Sequence, residues 1–193
     1  MKLAHTAMAA ALGLAFCGAA FAQAGTVQRD VNQQNRIEQG LQSGELNTRE
    51  ASKLEREESR VERDQSRAMQ DGKLTPAEKA RLAREQNRVS RDIYREKHDA
   101  QTGNPASASS QRMQADVQRN INQQRRVEQG VKSGSLTNRE TARLERGEAR
   151  IDRQEARAGA NGNVNAREQR RIQKADNRES RRIYKQKHDA QSK

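Results

Sequence analysis

Residues 27–101 align without a gap on residues 117–191, at a constant offset of 90 and with about half of the positions identical. Gln28-Arg29 recurs as Gln118-Arg119, Ile93-Tyr94 as Ile183-Tyr184, and residues 97–101 as 187–191. Whatever the first copy folds into, the second is built to repeat. Inside each copy a shorter repeat returns at an offset of 28: Gly44, Leu46, Glu50, Leu54 and Val61 reappear as Gly72, Leu74, Glu78, Leu82 and Val89.

The shared signal is Gly-x-[Leu/Val]-[Asn/Thr]-x-x-Glu, beginning at Gly44, Gly72, Gly134 and Gly162. Its physical content is a helix stop followed by a helix start. Glycine supplies the left-handed residue that ends one helix. Asn47, Thr75, Thr137 and Asn165 cap the next, with Glu50, Glu78, Glu140 and Glu168 at the third helical position closing a capping box. Pro76 falls at the first helical position, where a missing N–H costs nothing. The pattern predicts an all-α chain of two tandem three-helix modules, 27–101 and 117–191. The helices fall at 28–42, 48–69 and 76–98, then at 118–132, 138–158 and 166–188. Residues 102–116, rich in Gly, Ser, Asn and Ala, read as a flexible linker between them.

Ahead of the modules, Lys2, an uncharged apolar and small-residue run from Ala7 to Ala20, and Ala20-Phe21-Ala22 form the pattern of a secretory signal peptide. Cleavage is expected after Ala22, with Ala24 as the second choice, giving a periplasmic or secreted product. The run is too short for a membrane span of ~20 residues. Bulky Phe16 before Cys17 argues against lipidation of that cysteine. After cleavage no Cys or Phe remains, and no second apolar run follows that would serve as a transmembrane segment.

Composition narrows the chemistry. Of 193 residues, 31% are hydrophobic, 2% aromatic and 33% charged, with a single Cys, no Trp and a formal net charge of +12. A disulfide scaffold, a Cys-based zinc site and a large aromatic-lined pocket are excluded. The sequence offers no nucleophile–base pair, no phosphate-cradling glycine loop, no catalytic residue and no cofactor motif, so a non-enzymatic protein is expected.

On a helical projection Ala51, Leu54, Glu58, Val61, Gln65 and Ala68 share one stripe. Glu55, Glu57, Glu62 and Asp64 flank it. The next helix carries Leu82, Gln86, Val89 and Ile93 on the corresponding side. These stripes are thin, and Glu148, Glu155 and Asp176 interrupt them in the second copy. That predicts long, partly exposed helices in loose hairpins or coiled coils, stabilised by self-association or a partner. Opposite the stripes run rows of arginine: Arg56, Arg60, Arg63, Arg67, then Arg84, Arg88, Arg91, Arg95. The second copy has Arg146, Arg150, Arg153, Arg157, then Lys174, Arg178, Arg181, Lys185. Such rows are candidate contacts for anionic surfaces or acidic, unfolded proteins. They are equally what a solvated helix face laced by ion pairs looks like. Nucleic acid is a poor partner, because no aromatic residues are interleaved for base stacking.

Gly-x-Leu-x-x-x-Glu also resembles the second half of an EF-hand calcium loop, over residues 39–50 and 67–78. The resemblance implies calcium ligands at the first, third and fifth positions, but Gln39, Leu41 and Ser43, or Arg67, Met69 and Asp71, stand there. Asp71 and Glu78 alone keep ligand character. Leu74-Thr75-Pro76-Ala77-Glu78, within a small, basic and helical chain, resembles the helix starts of the Spy/CpxP/ZraP group of periplasmic proteins. That resemblance implies envelope-stress chaperoning or metal-stress sensing. His98 and His188 complete the candidate metal ligands, although each also suits a helix C-terminus, where a cation is favoured.

Three readings follow: a chaperone-like envelope protein for acidic or unfolded clients, a metal-ion-responsive protein using the degenerate EF-hand-like turns, and a structural coiled-coil protein that forms homo-oligomers.

Overall fold

The computed structural model describes residues 14–189, with side chains from residue 23 onward. Of the predicted signal peptide, residues 1–13 lie outside this range, and the remainder is described as backbone only. Six helices follow one another: α1 (Leu14–Ser43), α2 (Thr48–Ala68), α3 (Pro76–Lys97), α4 (Ala108–Ser133), α5 (Asn138–Ala158) and α6 (Ala166–Lys187). A 3₁₀ turn, Gly159–Asn161, follows α5. There is no strand among the described residues, and no helix there is long and apolar enough to cross a membrane.

The four punctuating motifs form as their residues dictate. Gly44, Gly72, Gly134 and Gly162 all have φ between 81° and 88°, the left-handed conformation that a side chain disfavours. Asn47, Thr75, Thr137 and Asn165 each accept the N–H of the glutamate three residues on, and that glutamate accepts the cap's own N–H. At the first turn the N–H of Leu46 donates back to the carbonyl of Gly40 at 2.9 Å, and Leu136 repeats this on Gly130 at 3.0 Å. The last carbonyls of α1 and α4 are thus satisfied while a leucine is drawn into the core.

Two helices run longer than expected. α1 begins at Leu14 rather than 28, and α4 begins at Ala108 rather than 118. Ser107 caps α4 by accepting the N–H of Ser110 at 3.1 Å, and Met113 in its second turn is fully buried. The connection between the copies is therefore residues 102–107 rather than 102–116. It is tied to the first turn through the N–H of Gly103, which donates to the carbonyl of Gly44 at 2.8 Å. Composition alone cannot tell a linker from a Ser/Ala-rich helix start that carries a buried anchor.

The larger correction concerns packing. The two copies do not form loose hairpins or extended coiled coils. α2 lies along α5, and α1 along α4, with α3 and α6 covering the outer sides. Both central pairs are antiparallel. Arg49, at the start of α2, reaches the carbonyl of Asn161 beyond the end of α5. Asn138, at the start of α5, donates to the carbonyl of Gly72 beyond the end of α2 at 2.9 Å. Equivalent positions of the two copies meet at the centre: Ser59 Oγ donates to the carbonyl of Ala149 at 2.9 Å, and Arg125 to Asn35 Oδ1 at 3.2 Å. Both pairs are separated by the repeat offset of 90, so a pseudo-two-fold axis passes between them.

Apolar side chains gather in two clusters drawn from both copies. One is centred on Ile37, Leu41, Leu46, Leu54 and Met113 and extends to Val61 and Ile151. The other contains Val27, Val131, Leu136, Leu144 and Ile183. The thin stripes suffice because the sister copy covers Ser52, Ser59, Ser66 and Ala149 beside them, small residues that let backbones approach. The stripes are consumed inside the molecule. Tyr94 and Tyr184 are the large hydrophobic side chains left exposed among the described residues.

This interlocking makes a local change felt globally. A Cβ on Gly159 would meet Ser52 Cβ at 2.8 Å and the carbonyl of Thr48 at 3.1 Å across the interface, and Met113 Cε of α4 at 2.7 Å. Gly159→Val is expected to destabilise the whole chain by about 1–3 kcal/mol in urea unfolding. Independently folded modules would leave stability unchanged, or show two transitions.

Candidate metal centre

Residues at i, i+3, i+7 and i+10 share one face of a helix. On α2 those positions carry Glu55, Glu58, Glu62 and Gln65; on α5 they carry Glu145, Glu148, Asp152 and Glu155. Both faces turn toward the sister copy, and all eight side chains are buried. α1 adds Asp30 and Gln34, α4 adds Asp116, Asn120 and Gln124, and α6 adds Asp176 and Glu179, all buried as well. More than half of the 26 acidic residues lie inside the fold, and no Lys or Arg is buried among the described residues.

Amides serve part of this array. Asp30 accepts from Gln65 at 2.8 Å and from Gln86 at 2.7 Å. Gln34 donates to Glu55 at 3.0 Å, Gln124 to Glu62 at 2.7 Å, and Asn120 to Glu155 at 2.9 Å and Asp152 at 3.3 Å. The copies exchange roles at one place: Asp30 pairs with Gln65 in the first, and Asn120 with Glu155 at the equivalent positions in the second. Even so, one oxygen of Glu55, Glu62, Asp152 and Glu155 has no hydrogen-bond partner, and Glu58, Glu148 and Asp116 have none on either oxygen. Unsatisfied buried acceptors of this kind each cost about 1–3 kcal/mol and more when charged.

The array converges most tightly where Glu55 from the first copy faces Asp152 and Glu155 from the second. One carboxylate oxygen from each lies within 4.8 Å of the others, in the interior. The unpartnered Oδ1 of Asn120 and Oε1 of Gln34 belong to the amides bonded to these three groups. A rotation of either amide would add a neutral oxygen donor. A second acidic trio, Glu50, Glu96 and Asp99, sits at the bundle end and is partly exposed. What sets it apart is a cation: Lys53 donates to Glu96 at 2.5 Å, while Glu50 accepts the N–H of Asn47 and Asp99 that of Gln101 at 2.8 Å.

The candidates read from sequence fall elsewhere. Asp71 accepts the N–H of Lys73 at 2.8 Å, and Glu78 accepts the N–H of Thr75 at 2.9 Å; both serve turns and caps. His98 and His188 are exposed, stack on Tyr94 and Tyr184, and donate through Nδ1 to the carbonyls of those tyrosines at 2.7 Å. None of these four belongs to a convergent trio. The arginine rows lie outside as expected, with Arg63 and Arg153 half-buried and the others exposed. The signal for the centre was present as Glu58 on the apolar stripe and as Glu148, Glu155 and Asp176 interrupting it. On a single helix, such residues read as breaks in a stripe rather than as contents of a core.

Burial raises the carboxyl pKa values throughout: Asp30 and Glu55 are pushed up to about 7 and Asp116 to about 8. Desolvation also pushes up Glu58, Glu148, Asp152 and Glu155, with neighbouring carboxylates adding to it. Compared with known protein families, characterised proteins and solved structures, the chain matches none.

The pH dependence follows from these shifts. Below about pH 4 the carboxyls are protonated in both the folded and unfolded chains, so they do not favour unfolding. Between about pH 4 and 8 the unfolded chain ionises while the folded one retains its protons, so stability falls as pH rises. Chelator-treated protein is expected to melt at a lower temperature at pH 8 than at pH 5. Glu58→Gln or Glu148→Gln should flatten that slope. A melting temperature that rises over this range would contradict the burial described.

Proposed function

We propose that the chain is a metal-ion-responsive binding protein that takes up hard cations between its two copies, at Glu55, Asp152 and Glu155. The observation that carries the reading is the convergence of these three buried carboxylates with no buried Lys or Arg among the described residues to balance them. Buried charge of one sign is tolerated only if it is neutralised by protons or by a cation. The donor set is oxygen alone, which favours calcium, magnesium or manganese over zinc or copper. One oxygen from each of the three carboxylates and, after rotation, the amide oxygens of Asn120 and Gln34 make five donors, and one bidentate carboxylate brings the set to six.

Because the ligands come from both copies, the ion would clasp the copies together, and binding would be coupled to closure of the bundle. The secretory leader read in the sequence assigns this role to the periplasm or the exterior. This differs from the EF-hand-like reading in where the ion goes: the core, not the turns. A chaperone-like role draws support from the exposed arginine rows alone, since the apolar stripes are spent between the copies.

The test is a thermal-shift titration of chelator-treated protein at pH 7.5 with manganese or calcium. A hundredfold excess over Kd stabilises by about 2.7 kcal/mol, roughly 5–10 °C in a chain of this size. The near-isosteric Glu55→Gln/Asp152→Asn/Glu155→Gln variant should fold at least as stably without metal and show no shift. Glu78→Gln should respond like the wild type. No shift in the wild type, or an equal shift in the triple variant, would overturn the reading.

A further inference from the structure

The internal duplication allows one copy to serve as the control for the other. Between α5 and α6 runs a groove of about 350 Å³ lined by Arg143, Arg146 and Arg150 from α5 and by Arg182, Lys185 and Gln186 from α6, with Leu144 beneath. No carboxylate among the described residues lines it. Among the described residues, Arg182 is the one lining cation within 4 Å of a carboxylate, that of Glu179 at 2.9 Å.

The equivalent positions between α2 and α3 are Lys53, Arg56, Arg60, Asp92, Arg95 and Glu96. Three of the five cations of the second groove therefore have basic counterparts on α2, and Lys185 has Arg95, but Arg182 replaces an aspartate and Gln186 a glutamate. In the first copy the acids quench the site: Lys53 bonds Glu96 at 2.5 Å, and Arg95 pairs with Asp92. Glu57 adds a third acid there, and its counterpart is Gly147. The glycine has a structural consequence. A Cβ at 147 would meet the Glu179 carboxylate at 2.1 Å, so its absence lets Glu179 tuck against the α5 backbone, out of the groove. Three positions acidic in the first copy are not acidic in the second, while the basic ones are shared; the one acid the second copy adds beside the groove is Glu179, where the first has Val89, and it pairs with Arg182.

We infer that the α5–α6 groove is a binding site for an oligophosphate-type anion, and that its α2–α3 counterpart is not. Guanidinium forks bind phosphate oxygens in pairs, and several in one groove favour a ligand carrying more than one phosphate group. Arg143 and Arg150 are seven residues apart, about 10 Å along the helix at ~1.5 Å per residue, which matches a short chain of phosphates better than a single one. This site is independent of the carboxylate centre and does not rest on its metal.

The experiment is calorimetric titration of full-length, chelator-treated protein with tripolyphosphate at low salt. The wild type is expected to bind one equivalent, more weakly as salt is raised. Arg182→Asp/Gln186→Glu, which restores the first copy's residues, should weaken binding by at least ~10-fold, equivalent to ~1.4 kcal/mol. The reciprocal Glu57→Gln/Asp92→Arg/Glu96→Gln, which removes all three acids of the first copy, should add a second equivalent. Arg88→Ala/Arg91→Ala, on the exposed α3 row, should leave the wild-type site unchanged. Absent binding, a swap without effect, or equal loss in the α3 variant would overturn the assignment, the last two because they indicate diffuse attraction to a basic surface. Citrate binding as tightly as tripolyphosphate would overturn the phosphate class. The thermal response to manganese should persist in the swap variants, so this site and the metal centre can fail separately.

Discussion

The central constraint on this molecule is the burial of carboxylates without buried cations to balance them. Glu55, Glu58 and Glu62 on α2 face Glu145, Glu148, Asp152 and Glu155 on α5 along the most closely packed helix pair of the fold. Desolvation and mutual repulsion oppose this arrangement, and the amides of Gln34, Gln65, Asn120 and Gln124 offset only part of the cost. The apolar clusters elsewhere in the bundle, together with the four capped turns, hold the helices in a position that the acids alone would not choose. Such a core is sensitive to its state of protonation.

The pseudo-two-fold axis explains how a chain with so few large apolar residues closes at all. Each copy covers the thin stripe of the other, and the small residues near the axis, Ser59 and Ala149 among them, allow α2 and α5 to approach closely. The same symmetry concentrates acids, because the acidic inner face of α2 recurs on α5 and the antiparallel docking sets the two rows against each other, so that Glu55 meets the repeats of Glu62 and Gln65. Where the copies differ, the differences fall at chemically meaningful places: the Asp30–Gln65 and Asn120–Glu155 exchange in the core, and the three acids of the first copy that have no acidic counterpart at the α5–α6 groove.

Drawing acids inward also shapes the exterior. Arginines that would be laced to neighbouring glutamates on an isolated helix have lost many of those partners to the core, and ion pairs such as Arg67 with Asp64 or Arg81 with Glu85 are the exceptions. The outer face is correspondingly more basic than a formal charge of +12 suggests when buried carboxyls are protonated or metal-bound.

Much of the local structure was legible in the sequence. Gly44, Asn47 and Glu50, and their three repeats, specify a left-handed stop and a capping box through bonds spanning only a few residues, so helix ends and the all-α class follow from the chain alone. The duplication, the outward arginine rows and the capping role of Glu78 were legible for the same reason. What Glu58, Glu148 and Glu155 face was not. A helix projection defines a side but not what lies against it, and an acid beside Leu54 or Ile151 reads as solvent-facing until a partner helix covers it. Only the antiparallel docking of α2 on α5 and of α1 on α4 decided that these carboxylates are interior and that Glu55 meets Asp152 and Glu155. Those contacts join residues roughly a hundred positions apart, and no local pattern encodes them.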